Sequence, residues 1–279
     1  MPVIINIEYM KKYTFLSVLL CLCACTGNKT NNNATLTEAE TIELQETVVN
    51  HLDSLANILC DSTQLASIYS LLEPSSFVLT DDQKLVKPDF LLENKDFENL
   101  VTLSEKYRAH AMAMVDSRVS KLYGLDNTSD FVALIEHLQA EIADNAYNDM
   151  AAKGHRDFFD PQVYVKLYEE MKAADRLQYF YESTAAMVVE SLYILTKNED
   201  VLVSQLTDDQ SQALARHLSV VAEATDLLSQ SNPYLKKSAQ SLIKLTSISA
   251  SNTSELKEQL SKTRNEIAAL RTLLLNDRN

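Results

Sequence analysis

Apolar residues recur at intervals of three and four along most of this chain, the period of a helix that buries one face. Between Thr37 and Leu59 they fall at Leu44, Val48, Leu52, Leu55 and Leu59. Thr37 stands at the cap of that predicted helix, and Glu40, three residues on, completes a capping box. A short helix is predicted at 63–73, and a long one at 96–123 with Phe97, Leu100, Tyr107, Ala111, Val115, Val119 and Leu122 inward. Another covers 129–153. The longest runs from Pro161 to Lys197, with a kink expected at Ala173-Ala174 and a stripe of Leu167, Met171, Ala174, Leu177, Tyr181, Ala185, Val188, Leu192 and Leu195. Further helices are predicted at 208–228, 233–248 and 254–275. The last carries Leu256, Leu260, Thr263, Ile267, Leu270 and Leu274, a heptad register too short for a partner coiled coil, so it reads as a docked bundle helix.

The punctuation between these stretches is helical. Leu79-Thr80-Asp81-Asp82-Gln83 and Leu206-Thr207-Asp208-Asp209-Gln210 are the same pentapeptide, and each reads as a helix start. Thr caps, the acids favour the helix dipole, Gln closes the box and Leu is the staple. The chain has only 3 Gly and 5 Pro, too few for the turns of a sheet protein. Gly124 and Gly154 follow predicted helix ends, while Asp160-Pro161 and Asn232-Pro233 read as cap and first helical residue. The expected fold is all-α, an antiparallel multi-helix bundle of roughly seven to nine helices with no sheet. One domain is expected over residues 37–279, behind a polar linker, residues 25–36.

The N-terminal region departs from this pattern. Lys11 and Lys12 precede an apolar run, Tyr13 to Leu22, that is too short to span a bilayer. Met10 places the two lysines at the head of a signal peptide, whereas a start at Met1 puts Glu8 in it. The run ends in Leu22-Cys23-Ala24-Cys25, which resembles the lipobox of bacterial lipoproteins. That resemblance implies a signal peptide over residues 1–24 and lipidation, as with palmitate, of Cys25 as the mature N-terminus. Thr26 in place of the aspartate of inner-membrane retention implies the outer membrane. The chain is similar overall to uncharacterised helical lipoproteins of the Bacteroidetes, in which an acidic cluster after the cysteine marks export to the cell surface. Thr26-Gly27-Asn28-Lys29-Thr30 has no acid, so the periplasmic face is expected. Asp53-Ser54-Leu55 and Asp61-Ser62-Thr63 resemble the O-glycosylation acceptor pattern of that group. Residues 26–36 reach at most ~36 Å when extended.

Loss of residues 1–24 takes away two lysines and one glutamate, moving the formal charge from −14 to −15. Such a charge repels phosphate backbones and anionic lipid surfaces, so no nucleic-acid partner is expected. Of the 4 cysteines, Cys21 and Cys23 leave with the signal peptide and Cys25 is lipidated. Cys60 then remains as a free, buried thiol, and no intrachain disulfide can form.

Chemistry-bearing motifs are scarce. His51, His110, His137, His155 and His217 have no metal-ligand spacing, and the chain has no phosphate-binding glycine loop, nucleophile elbow or haem-attachment motif. No cofactor, metal or catalytic residue is expected. One loop mixes residue types suited to recognition: His155, Arg156, Asp157 and Phe158, the candidate interaction loop, with Asp160 capping the next helix. Tyr164, Tyr168, Tyr179, Tyr181 and Tyr193 crowd the longest helix and read as core, or as the walls of an apolar groove. These features describe a membrane-tethered, non-enzymatic helical interaction module whose partner is another envelope protein. Its sharpest version is an immunity protein that neutralises an incoming toxin. The competing reading is an envelope lipoprotein that binds a small molecule or peptide in an interhelical aromatic pocket.

Overall fold

The computed structural model describes residues 38–86, 88–125, 128–142 and 161–276. Within them the chain is all-α, and no strand occurs among the described residues. In chain order the helices are α1 (Glu38–Leu59), α2 (Ser62–Tyr69), α3 (Asp81–Leu85), α4 (Leu103–Tyr123), α5 (Thr128–Ile142), α6 (Pro161–Ala173), α7 (Leu177–Lys197), α8 (Asp208–Ser231), α9 (Lys236–Leu245) and α10 (Thr253–Asn276). Single turns of 3₁₀ helix occur at Asn94–Phe97, Val203–Gln205 and Pro233–Leu235.

Helix α7 is the hub, packing against α4, α6, α8 and α10. Helix α4 runs parallel to it. Tyr107 stacks on Tyr179 near their starts, with ring centroids 4.8 Å apart, and Tyr123 Oη donates to Asn198 Oδ1 at 3.1 Å beyond their ends. Helices α8 and α10 run antiparallel to α7. Asn232, after α8, donates to Gln178 at the start of α7, and Arg264 and Arg271 of α10 meet Glu199 and Glu190. One continuous apolar core threads the long helices.

Helix starts follow the capping chemistry. Thr80, Thr102 and Thr207 each form a full capping box, with Gln83, Glu105 and Gln210 as partners. Leu79 and Leu206 are both buried, as the staple reading requires. Gly124 ends α4 at φ +64°, a left-handed turn that reverses the chain into α5.

The expected helix from Pro161 to Lys197 is two helices. The chain breaks at Ala174-Asp175-Arg176, with Asp175 at φ 59°, so α6 folds back on α7 and Ala174 is exposed instead of inward. The predicted helix 96–123 is likewise a 3₁₀ turn followed by α4 from Leu103, because the Thr102 box sets a new start. The helix predicted at 129–153 is described only as far as Ile142.

Candidate functional site

Cys25 and the loop residues His155, Arg156, Asp157 and Phe158 lie outside the described residues, as do Gly154 and Asp160. What the described core presents is a set of buried charges that no motif announces.

The principal one joins three helices. Asp116 projects from α4, Glu190 from α7 and Arg271 from α10. Asp116 and Glu190 have no solvent exposure. Arg271 grips Glu190 with a fork, Nε to Oε2 at 2.7 Å and Nη2 to Oε1 at 2.8 Å. The same Nη2 donates to the Phe90 carbonyl at 3.2 Å, and the guanidinium carbon stands 4.1 Å from the centre of the Tyr193 ring. Stacking and the fork together are the geometry that arginine offers and lysine does not. The Leu92 N–H donates to Asp116 Oδ2 at 2.7 Å, which ties the segment 88–102 to α4.

Two buried carboxyls share one guanidinium. Burial, then the neighbouring Glu190 charge, pushes Asp116 well above the usual carboxyl range, and the Leu92 N–H and Arg271 offset this only in part. Burial thus favours the protonated form of Asp116. Its second oxygen, Oδ1, receives no donor, as fits a carboxylic O–H turned toward Glu190. When Asp116 is protonated, its neutral carboxyl leaves the Arg271 guanidinium to the Glu190 fork.

A second pair lies at the start of α7. Arg108 and Glu182 are both buried, with Nη1 and Oε2 2.7 Å apart. Ser104 and Gln178 also donate to Glu182, at 3.0 and 2.7 Å. Asn232 extends the chain of bonds to the end of α8. Near the helix hairpin, Asp53 of α1 accepts from Tyr168 and from Lys172 of α6. Each cluster crosslinks helices distant in sequence, and each is fully enclosed or edge-bound.

The remaining titratable core groups are inert by placement. His110 and His217 are buried, and desolvation holds them down at about 3 and about 4, so both are neutral. Burial, then Glu169, pushes the Cys60 thiol up to about 12, the opposite of what a nucleophile needs. Tyr164, Tyr168 and Tyr181 are buried among α1, α2, α6 and α7, and Tyr181 donates to the Leu52 carbonyl. A small, partly open void of about 10 Å³ is lined by Ile68, Leu72, Val115, Arg118, Met187 and Ser191. That is room for about one water. Among the described residues, no group of three His, Cys, Asp or Glu side chains is placed to hold a metal ion.

Sequence reasoning did not single out Asp116, Glu190 or Arg271. A signal was present: Asp116 sits among Met112, Ala113, Val115 and Val119, and a helix apolar or small-residued on every side has no wet face on which to place a charge. No protein-family model, no curated protein and no solved structure matches this chain.

Proposed function

We propose that this protein is a lipid-anchored lipoprotein of the bacterial outer membrane, facing the periplasm, whose helical domain binds another envelope protein and turns over no substrate. The observation that carries the reading is the sequence Leu22-Cys23-Ala24-Cys25 behind Lys11-Lys12 and a short apolar run. The fold is compatible with it: no described helix is long and apolar enough to cross a membrane, so attachment through Cys25 is what this reading requires. Asp116 and Glu190 face Arg271 and backbone groups, which makes them crosslinks of the bundle in this reading. The aromatic-pocket alternative draws little support, since Tyr164, Tyr168 and Tyr181 are buried side chains of the core.

The test has two arms. Cys25→Ala should abolish palmitate labelling and release the protein from the outer-membrane fraction; retention with full labelling would refute the anchor. Arg156→Ala with Phe158→Ala should weaken recovery of an envelope partner while the helical signal stays intact. An unchanged partner set would retire that loop as the contact.

A further inference from the structure

The chain carries 39 acidic residues in 279, yet not one occurs between Asp226 and Glu255. That acid-free stretch builds the end of α8, the Pro233–Leu235 turn and α9. It holds Lys236, Lys237 and Lys244, all exposed. None of the three makes an ion pair among the described residues. Tyr234 and Ile243 stand beside them, 67% and 44% exposed, while Leu235, Ala239, Leu242 and Leu245 bury the opposite face. The outer face of α9 is thus cationic and aromatic in a protein of charge −14.

The position of this face matters as much as its chemistry. Asn232 ties the Pro233 turn to Gln178 at the start of α7. The same end receives α1. Leu52 of α1 accepts from Tyr181, one turn into α7, and Asp53 pairs with Lys172 at the end of α6. From Leu52 back to Glu38 is ~21 Å of helix, and residues 46, 47, 49, 50 and 51 along it are exposed. Val48 still packs on the core and His51 pairs with Glu223 of α8, so the part of α1 before them runs on toward the end that carries Tyr234. Residues 26–36 add at most ~36 Å between α1 and Cys25. Measured along the helices, the path from Glu38 through Leu52 and Tyr181 to the far end at Lys197 is ~45 Å. A bilayer holding Cys25 is brought first to the Tyr234 end.

We infer that Tyr234, Lys236, Lys237, Ile243 and Lys244 form a membrane-facing surface that rests on the anionic phospholipid headgroups of the leaflet holding the anchor. Lysines pair with phosphate as point charges, and a tyrosine ring with a wet hydroxyl suits the interface. Tethering supplies a high effective concentration, so a contact too weak to recruit a free protein suffices to orient a tethered one. The inference rests on the lipid-anchor reading, and it sets which surfaces point into the periplasm: the far end, with Val78, Leu85 and Val86 exposed, is the one left for a protein partner.

The chain has no tryptophan, so one reporter at a time can be introduced. The full-length lipidated protein carrying Tyr234→Trp is reconstituted in vesicles of phosphatidylglycerol and phosphatidylethanolamine. Emission is expected to shift to the blue and to be quenched by bromine-labelled acyl chains. A Leu85→Trp reporter should show neither change. Adding Lys236→Glu, Lys237→Glu and Lys244→Glu should abolish the quenching with the circular dichroism unchanged, and Lys→Gln at the same three positions should reduce it. Wild-type protein that fails to float with the vesicles would overturn the anchor and this contact together. A floating protein whose reporter at 234 stays unquenched would overturn the contact alone. So would a reporter at 234 that responds instead to an acidic envelope protein in detergent, without vesicles.

Discussion

Replacing Arg271 with Met leaves two carboxyls in the core without their cation. Arg271→Met keeps much of the apolar stem but removes both bonds to Glu190, the bond to Phe90 and the stack on Tyr193. Removing one partner of a buried ion pair destabilises by about 3–5 kcal/mol, because the other charge stays behind. Loss of the stack adds to this and proton uptake at the acids relieves it, so about 4 kcal/mol is expected. At ~2–4 °C per kcal/mol for a chain of this size, melting should fall by roughly 8–16 °C. The assay is thermal and guanidinium unfolding followed by circular dichroism at neutral pH, for Arg271→Met, Glu190→Met and the double variant. The double variant should recover most of the loss, since an apolar replacement of both partners leaves no buried charge. A single Arg271→Met that costs less than about 1 kcal/mol, or a double variant no better than the singles, would refute the view that this centre latches α10 to α7.

The buried histidines set an acid limit. Their folded values, about 3 for His110 and about 4 for His217, lie below the unfolded one. Their stabilisation is complete above pH ~6.5 and is lost as pH falls through that window, at about 1.4 kcal/mol per unit for each. Asp116 has the opposite sign: its raised folded value erodes stability as pH rises above the ordinary carboxyl range. Asp116→Asn should therefore steepen the gain in stability as pH rises above the ordinary carboxyl range, measured by urea titration; an unchanged slope would contradict the raised value. Gly124→Ala should cost about 1 kcal/mol in denaturant unfolding, from the φ of +64° alone, because an added Cβ meets nothing within 4 Å. Cys60 should react with iodoacetamide roughly a thousandfold more slowly in the folded protein than in urea, given a thiol held at about 12; equal rates would place it in a wet site.

The fold was legible in the sequence wherever a local rule decided it. Thr80 and Thr207 cap helices because their pentapeptides carry the whole device, and Leu52, Leu55 and Leu59 of α1, Tyr181 to Leu195 along the α7 stripe and Leu256, Leu260, Ile267, Leu270 and Leu274 of α10 are buried as spaced. The break at Asp175 was not legible as two helices, since a φ of 59° at an aspartate leaves no glycine or proline mark. The buried charges were hidden for a different reason. Asp116, Glu190 and Arg271 come from positions 74 and 81 residues apart, and helical periodicity reports which face is apolar, not which charges meet across faces. The basic face of α9 lies in an acid-free stretch that helical periodicity does not mark, and its location at the α1 end needed the Asn232–Gln178 and Tyr181–Leu52 contacts.

Attachment to the membrane would rest on one residue, Cys25, and mass spectrometry of the mature protein tests it. Purified from membranes without reductant or protease, the protein should begin at Cys25, with a diacylglyceryl thioether on its Sγ and a mass larger than the 25–279 chain by the lipid. A mature chain that retains Leu22-Cys23-Ala24, or that begins at Cys25 with an unmodified thiol, would contradict it.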